Sequence, residues 1–176
     1  VELHKAMINE MRGVPGVKAE RLEEGFNVRH CALSLVGEPI MYPRINAMLQ
    51  ELHQRGISSF MVTNAQFPAE IQNLDPCTQL YVSIDAATKD TLKAIDRPLF
   101  SNFWERFQGS LEALAAKQQR TVYRLTLVNE WNMKEVDEYA QLIINGTPDF
   151  IEIKAVTFCG KSDASTLTIG NSPWHK

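Results

Sequence analysis

Charged and hydroxyl side chains recur in this chain at or just beyond the ends of its apolar segments. Carboxylates can transfer protons or bind ligand hydroxyls, and an interior lysine can form an imine with a carbonyl substrate. Because several segments each contribute such groups, we expect a small-molecule site rather than ion pairs that only fill an interior. The candidates are Glu38, Thr63, Asn64, Ser83, Asp85, Arg124, Thr126, Glu152 and Lys154.

The apolar segments have the composition of β-strands, and helical stretches separate them. Apolar residues spaced three to four apart, as in Ile45, Met48 and Leu52, indicate helices with one buried face. Strands that alternate with helices predict a parallel sheet in an α/β fold. The strands are expected at residues 29–36, 58–63, 79–85, 121–128 and 149–156.

Glycines and hydroxyl residues mark where these elements begin and end. Gly56 and Gly146 predict helix C-termini, and Thr88 and Ser101 predict N-caps. The first strand ends at Gly37, where the missing side chain lets the backbone come close to a ligand. Glu38 follows it at the rim, where α/β folds place their chemistry.

The two faces of each strand are expected to differ. The apolar set is Leu33, Leu35, Leu80, Val82, Ile84, Leu125, Leu127, Ile151 and Ile153. If this set lies beneath the helices, Thr63, Ser83 and Asp85 face one shared interior, as in a curved sheet or partial barrel. A buried charge without a partner is costly, so Arg124 is expected to pair with Asp85 or Glu152.

The composition is that of an ordinary globular domain, with 44% hydrophobic and 22% charged residues and a net charge of −3. No apolar run is long enough to span a bilayer. Cys31, Cys77 and Cys159 are far apart and lack metal-ligand spacing, so we expect free thiols in a reducing compartment and no metal site. The expected location is the cytoplasm.

Five stretches carry a resemblance to a known family. They are residues 33–43, 62–68, 80–86, 95–100 and 120–128. Together they closely resemble the eukaryotic branch of the radical S-adenosylmethionine (radical SAM) enzyme 4-demethylwyosine synthase. The resemblance implies a partial (β/α)6 TIM-like barrel of parallel strands whose first strand is missing from this chain. It assigns residues 1–27 to an N-terminal helix and loop and residues 28–176 to the barrel core.

The resemblance also implies an activity. In this family a [4Fe-4S] cluster reduces S-adenosylmethionine, and the resulting radical abstracts hydrogen from the methyl group of N1-methylguanosine in tRNA-Phe. Two carbons of pyruvate then complete the tricyclic base 4-demethylwyosine. Eukaryotic members carry FMN in a separate N-terminal domain.

The family's site residues can be carried over only where the motifs match. Gly37 and Glu38 match the end of the Gly-Gly-Glu motif that binds the amino group of the cofactor, although Val36 replaces its first glycine. The remaining cofactor positions implied are Thr63, Asn64, Ser83, Asp85, Thr126 and Asn132, and Asn129 lies in the same loop. The substrate positions are Arg97, Arg124, Glu152 and Lys154.

The three-cysteine loop that ligates the cluster, and the lysine that forms an imine with pyruvate, precede this region in the family. We therefore expect an internal segment that does not bind the cluster or catalyse by itself, and its catalytic residues stay unassigned.

Two other hypotheses remain open. Lys154, near Glu152 and Asp85, could form a Schiff base as in barrel lyases and aldolases, given a pKa lowered by burial or by Arg124. Alternatively the chain is a non-catalytic module that docks RNA. Basic residues and tryptophans could then contact phosphates and stack bases, with Arg97 the best candidate. The others are Arg106, Lys117, Arg120, Lys161, His175, Lys176, Trp104 and Trp131.

Overall fold

A computed structural model describes residues 1–34, 36–161 and 166–173 of the chain. Its centre is one sheet of five strands in the order β1-β2-β3-β4-β5, and every neighbouring pair is parallel. The strands are β1 (His30–Leu33), β2 (Ser58–Thr63), β3 (Gln79–Ser83), β4 (Arg120–Leu127) and β5 (Phe150–Ala155). The predicted α/β fold is confirmed, and the strand ends agree within three residues.

Seven helices are present in the described part of the chain. They are α1 (Glu2–Glu10), α2 (Ala19–Phe26), α3 (Ile45–Gln54), α4 (Pro68–Asn73), α5 (Lys89–Asp96), α6 (Phe103–Ala115) and α7 (Val136–Gly146), with short 3-10 turns at Pro39–Met41 and Ile169–Asn171. Because the strands are in sequential order and crossovers are right-handed, the crossover helices lie on one face of the sheet. This is the topology of a partial TIM-like barrel. No described helix is long and apolar enough to cross a membrane.

The core lies between the sheet and these helices. Leu80, Val82 and Ile84 of the β3 segment are fully buried there, together with Phe107 and Leu111 of α6. The predicted apolar face is therefore confirmed for the central strands. At the edge strand β5 the predicted apolar face is not buried, because Ile151 and Ile153 are 43% and 60% exposed. Leu35, from the same predicted set, lies outside the described residues.

The predicted helix ends are partly confirmed. Thr88 caps α5, its side chain accepting a hydrogen bond from the backbone N–H of Thr91, and Gly56 follows α3 with φ +67°. The residue before α6 is Asn102 rather than Ser101. Gly146 ends α7, but the left-handed residue is Thr147.

Gly146 is a glycine for a packing reason. A Cβ on Gly146 would lie 1.6 Å from the Tyr123 hydroxyl oxygen and 2.7 Å from its ring carbon Cζ. That hydroxyl donates a 3.0 Å hydrogen bond to the carbonyl of Leu142. The missing side chain therefore lets α7 close over β4, which holds the β4–α7 unit together.

Candidate functional site

A cavity of about 580 Å³ opens at the carboxyl ends of β3, β4 and β5. This is the edge at which parallel β/α folds bind ligands. Three consecutive strand-end loops and helix α5 form its wall. The residues that matter most for its chemistry are Asp85, Asp96, Arg97, Thr126 and Trp131.

Asp85 is the carboxyl group inside this cavity. Burial raises its pKa, and hydrogen bonds from the side chain and backbone of Thr126 partly oppose that effect, as do the positive charges of Arg124 and Lys154. Its carboxylate is thus poorly hydrated, and a ligand that donates hydrogen bonds would replace the missing water.

Below the cavity, the concave face of the sheet carries an ion pair. Nε of Arg124 lies 3.2 Å from a carboxylate oxygen of Glu152 on the neighbouring strand. The predicted pairing of Arg124 with Glu152 is confirmed. Ser83 is in register with Arg124 on this same face, and Thr126 is in register with Lys154. These predicted polar residues therefore share one side of the sheet.

Asp96 and Arg97 end helix α5 at the edge of the cavity. Asp96 keeps contact with solvent, but partial burial of its carboxyl group raises its pKa to about 7. The negative charge of Asp85 makes a smaller contribution in the same direction. Arg97 adopts a left-handed conformation with φ +48°. Trp131 lines the same cavity and is 40% exposed.

The Gly37–Glu38 turn lies at the end of β1. Gly37 has φ +72°, and no described atom comes within 4 Å of the position of a Cβ there, so the backbone is open to a ligand. One carboxylate oxygen of Glu38 accepts a 2.9 Å hydrogen bond from the backbone N–H of Asn64, joining the ends of β1 and β2. Its other oxygen, Oε1, is buried without a hydrogen-bond partner among the described residues. Burial raises the pKa of Glu38.

Two of the predicted cofactor-binding residues have buried side chains. Thr63 is in register with Val82 and 1% exposed, so its side chain lies on the helix side of the sheet, away from the face of Ser83 and Asp85. Its hydroxyl instead supports the carboxylate of Glu38. Asn132 has no exposed surface.

The amide of Asn132 is occupied by backbone groups of two strand ends. Its Nδ2 donates to the carbonyl of Asp85 at 2.7 Å and to that of Thr126 at 2.9 Å. Its Oδ1 accepts from the N–H of Val128 at 2.7 Å. Asn132 therefore joins the end of β4 to the loop after β3.

Glu135, which the sequence did not single out, supports the same loop. It accepts hydrogen bonds from the backbone N–H of Ala87 at 3.0 Å and from the hydroxyl of Thr88 at 3.1 Å. The hydroxyl of Thr91 donates a further hydrogen bond to it. In the sequence, the only relevant pattern is an acidic residue just before a helix. That pattern predicts a cap for α7 and does not indicate a contact with α5.

Four of the nine proposed RNA contacts have structural roles. Arg106 stacks 3.9 Å from the centre of the Phe100 ring and donates to the carbonyl of Gln66. Lys117 donates to the carbonyls of Gln72 and Leu74. Arg120 lies over the ring of Phe150, and Trp104 stacks on Phe107. His175 and Lys176 lie outside the described residues, whereas Arg97 and Trp131 remain at the cavity.

The described residues do not fit an iron–sulfur cluster. Cys31 is half-buried, Cys77 is buried and Cys159 is exposed, and all three are free. No group of three or more His, Cys, Asp or Glu side chains within the described ranges could hold a metal ion.

A parallel sheet with helices on one face and a cavity at its carboxyl edge is the architecture of enzymes with a partial β/α barrel. Residues 17–143 match the model of the radical SAM superfamily. The chain belongs to the radical SAM superfamily. Residues 145–176 match a second model, described as wyosine base formation.

Curated relatives share the name S-adenosyl-L-methionine-dependent tRNA 4-demethylwyosine synthase. The chain is 68% identical to the human protein over 176 residues, which is 100% of this chain and 24% of the relative. It is 67% identical to the Arabidopsis thaliana protein over 175 residues, which is 99% of this chain and 27% of the relative. The chain thus spans about a quarter of the length of these relatives.

Two solved structures share the fold. A structure of TYW1 with a lysine-pyruvate adduct bound has a TM-score of 0.80 at 29% identity, covering 93% of this chain and 54% of that one. A crystal structure of archaeal TYW1 has a TM-score of 0.72 at 30% identity, covering 88% of this chain and 53% of that one.

Proposed function

We propose that this chain is the part of a tRNA 4-demethylwyosine synthase that holds S-adenosylmethionine at the carboxyl edge of its sheet. The observation that carries the proposal is 68% identity along the full chain to a relative of that name. The fold likeness to a structure with a lysine-pyruvate adduct supports pyruvate as the second substrate. Residues 1–27 are proposed as the N-terminal helix and loop of the barrel and residues 28–176 as its core.

The residues present suit S-adenosylmethionine. Its amino group would lie at the open Gly37 turn, next to the carboxylate of Glu38. Its ribose hydroxyls would donate to Asp85 near Ser83 and Thr126, inside a cavity of adequate volume. In the family, the bound cofactor and its cluster supply hydrogen-atom abstraction. This chain would bind and orient the cofactor, and the cluster ligands would come from outside the described residues.

The tRNA would approach over the cavity edge. Arg97 is exposed there and could bind a phosphate oxygen pair, and Trp131 offers a ring for base stacking. We propose tRNA-Phe as the substrate, FMN in a separate domain of the full-length protein, and a cytoplasmic location. The ion pair of Arg124 and Glu152 and the exposed Lys154 form the floor next to the reacting groups.

Product formation by the full-length protein tests this proposal. The reconstituted protein is given tRNA-Phe bearing N1-methylguanosine, pyruvate, S-adenosylmethionine and a reductant, and the nucleosides are analysed by mass spectrometry. We expect 4-demethylwyosine to form, with its two added carbons labelled when the pyruvate is labelled. Unmodified N1-methylguanosine with a fully loaded protein would contradict the proposal.

Two variants separate the roles at the cavity. Arg97→Ala should weaken tRNA binding in a gel-shift assay about fivefold, because a charged contact to phosphate contributes about 1 kcal/mol. Lys18→Ala, which removes an exposed positive charge at the start of α2, is the matched control. Lys154→Ala should leave borohydride trapping of pyruvate intact, because an ammonium group exposed to water lacks the burial that an imine-forming lysine requires. Loss of trapping would instead favour the lyase hypothesis.

A further inference from the structure

Two side chains of the loop after β4 hold the loop after β3 in place. Asn132 binds the carbonyls of Asp85 and Thr126, the two residues whose side chains meet in the cavity. Three residues later, Glu135 accepts hydrogen bonds from Ala87, Thr88 and Thr91. We call this pair of residues the 132–135 clasp.

The clasp has little freedom to do anything else. Asn132 is fully buried, and both hydrogens of its amide are used. Glu135 receives the N–H of Ala87 on one oxygen and two hydroxyls on the other. Neither side chain lines the cavity. Their contacts fix backbone positions, so any effect on a ligand must pass through other residues.

Asp85 and Thr126, whose carbonyls Asn132 binds, line the cavity, and helix α5, which Glu135 binds, contributes further lining residues. Asn132 sets the position of Asp85 relative to Thr126, the donor that partly offsets the burial of the Asp85 carboxyl. Glu135 accepts from the first turn of α5, and this helix carries Asp96 and ends at Arg97 on the cavity wall. A shift of the clasp would therefore displace two carboxyls and one guanidinium together.

We propose that Asn132 and Glu135 are positioning residues for the ribose of S-adenosylmethionine, acting through Asp85 and helix α5. This inference rests on the proposed function, because it takes the ligand of the cavity to be that cofactor. A polar contact displaced by about 1 Å loses much of its directional strength. Loss of the clasp should therefore weaken cofactor binding in addition to lowering stability.

The test measures S-adenosylmethionine binding by equilibrium dialysis on the full-length protein with its clusters loaded, beside the melting temperature. Asn132→Asp has the same shape but sets a carboxylate oxygen against two carbonyl oxygens, and about tenfold weaker binding is expected. Glu135→Ala should weaken binding about fivefold. Glu135→Gln should restore near-normal binding, since its oxygen can accept from Ala87 while its NH2 group donates to the two hydroxyls.

Tyr123→Phe is the matched control. It removes one buried hydrogen bond, to Leu142, from the same β4–α7 unit on the helix side of the sheet. It should lower the melting temperature without changing cofactor affinity. Hydrogen–deuterium exchange adds a measurement that needs no ligand. Relative to the wild type, residues 85–97 should exchange faster in Glu135→Ala and at an unchanged rate in Tyr123→Phe.

The outcomes are distinct. If the loaded wild-type protein does not bind S-adenosylmethionine, both the proposed function and this inference fail. If the wild type binds but Glu135→Ala and Tyr123→Phe bind equally well, the inference alone is overturned. It is likewise overturned if Glu135→Gln is as weak as Glu135→Ala. The Glu135 series decides the question even if Asn132→Asp does not fold.

Discussion

The Gly37–Glu38 turn and the strand ends of β3 and β4 are built in opposite ways. The turn is open around Gly37 and is tied to β2 by one backbone hydrogen bond to a Glu38 carboxylate oxygen, while the other oxygen has no described partner. The β3–β4 end is closed by a buried amide with every hydrogen in use. At the turn a carboxylate oxygen has no protein partner among the described residues, whereas the amide of Asn132 uses its hydrogen bonds to hold two loops together.

This difference separates binding from positioning. A group that contacts a ligand must keep spare hydrogen-bonding capacity, and in a buried site that capacity costs stability until the ligand arrives. Oε1 of Glu38 has such capacity, whereas the amide of Asn132 has none. Substitutions in the first region should therefore change affinity more than stability, and substitutions that disturb packing near the second should do the reverse.

The largest expected effect is on the helix side of β4. Gly146→Ala places a methyl group within 1.6 Å of the Tyr123 hydroxyl, so the free energy of unfolding should fall by about 3 kcal/mol. Thermal melting of the variant measures this. Adding Tyr123→Phe should recover part of the loss, because the nearest atom is gone while the ring carbon at 2.7 Å remains. A variant as stable as the wild type would show that α7 does not pack on β4 as described.

The second prediction compares two glutamates directly. Glu135→Ala removes the acceptor of three hydrogen bonds and should lower stability by about 2 kcal/mol. Glu38→Ala removes the acceptor of the Asn64 N–H and the carboxylate that the Thr63 hydroxyl supports, but relief of a poorly hydrated charge offsets the loss, so at most about 1 kcal/mol is expected. Both are read from melting temperatures under the same conditions. Equal losses would break the distinction between the two regions.

Gly37→Ala should have a smaller effect on stability. The space around Gly37 is open, so the cost is that of the left-handed backbone alone, about 1 kcal/mol. If the turn binds the cofactor, S-adenosylmethionine affinity should fall by clearly more than this stability cost implies, measured on the same loaded protein. A stability loss with unchanged affinity would remove the turn from the site.

The smallest effect concerns Asp96 and depends on pH. The pKa of Asp96 is raised to about 7 in the folded chain, from about 4 when unfolded, so its protonated form stabilises the fold below pH 4. That contribution is lost as the pH rises toward 7. Asp96→Asn should therefore be more stable than the wild type at pH 8, by about 1 kcal/mol or less because the group keeps contact with water.

The control for this prediction is the same pair of proteins at low pH. By pH 4 the melting temperatures of the wild type and Asp96→Asn should converge, since both side chains are then mostly neutral. An advantage that stays constant from pH 4 to pH 8 would assign the effect to something other than the charge of Asp96.

The sequence predicted the strands well because β/α alternation leaves a strong periodic signal. The face of Thr63 was harder to predict, since β2 carries apolar residues on both sides and alternation is not visible in Phe60, Met61 and Val62. The register with β3, a non-local property, settles that Thr63 points toward the helices.

The roles of Asn132 and Glu135 could not be predicted for a related reason. Their partners in the loop after β3, such as Asp85 and Ala87, lie more than forty residues away in sequence, and nothing in the local pattern indicates which of these backbone groups each side chain will bind. The resemblance predicts that Asn132 binds the cofactor, and it gives no indication that the amide of Asn132 joins two strand ends.

Asparagine residues also join the loop after β4 to the loop after β5. The backbone N–H of Asn129 donates to the carbonyl of Asn171 at 2.8 Å, and the side chain of Asn171 donates back to the carbonyl of Asn129. Through residues 129–135, the loops after β3, β4 and β5 thus form one linked girdle. Such a girdle should open cooperatively rather than loop by loop. A structural change at Asn171 should then also displace helix α5, which lies on the far side of β4.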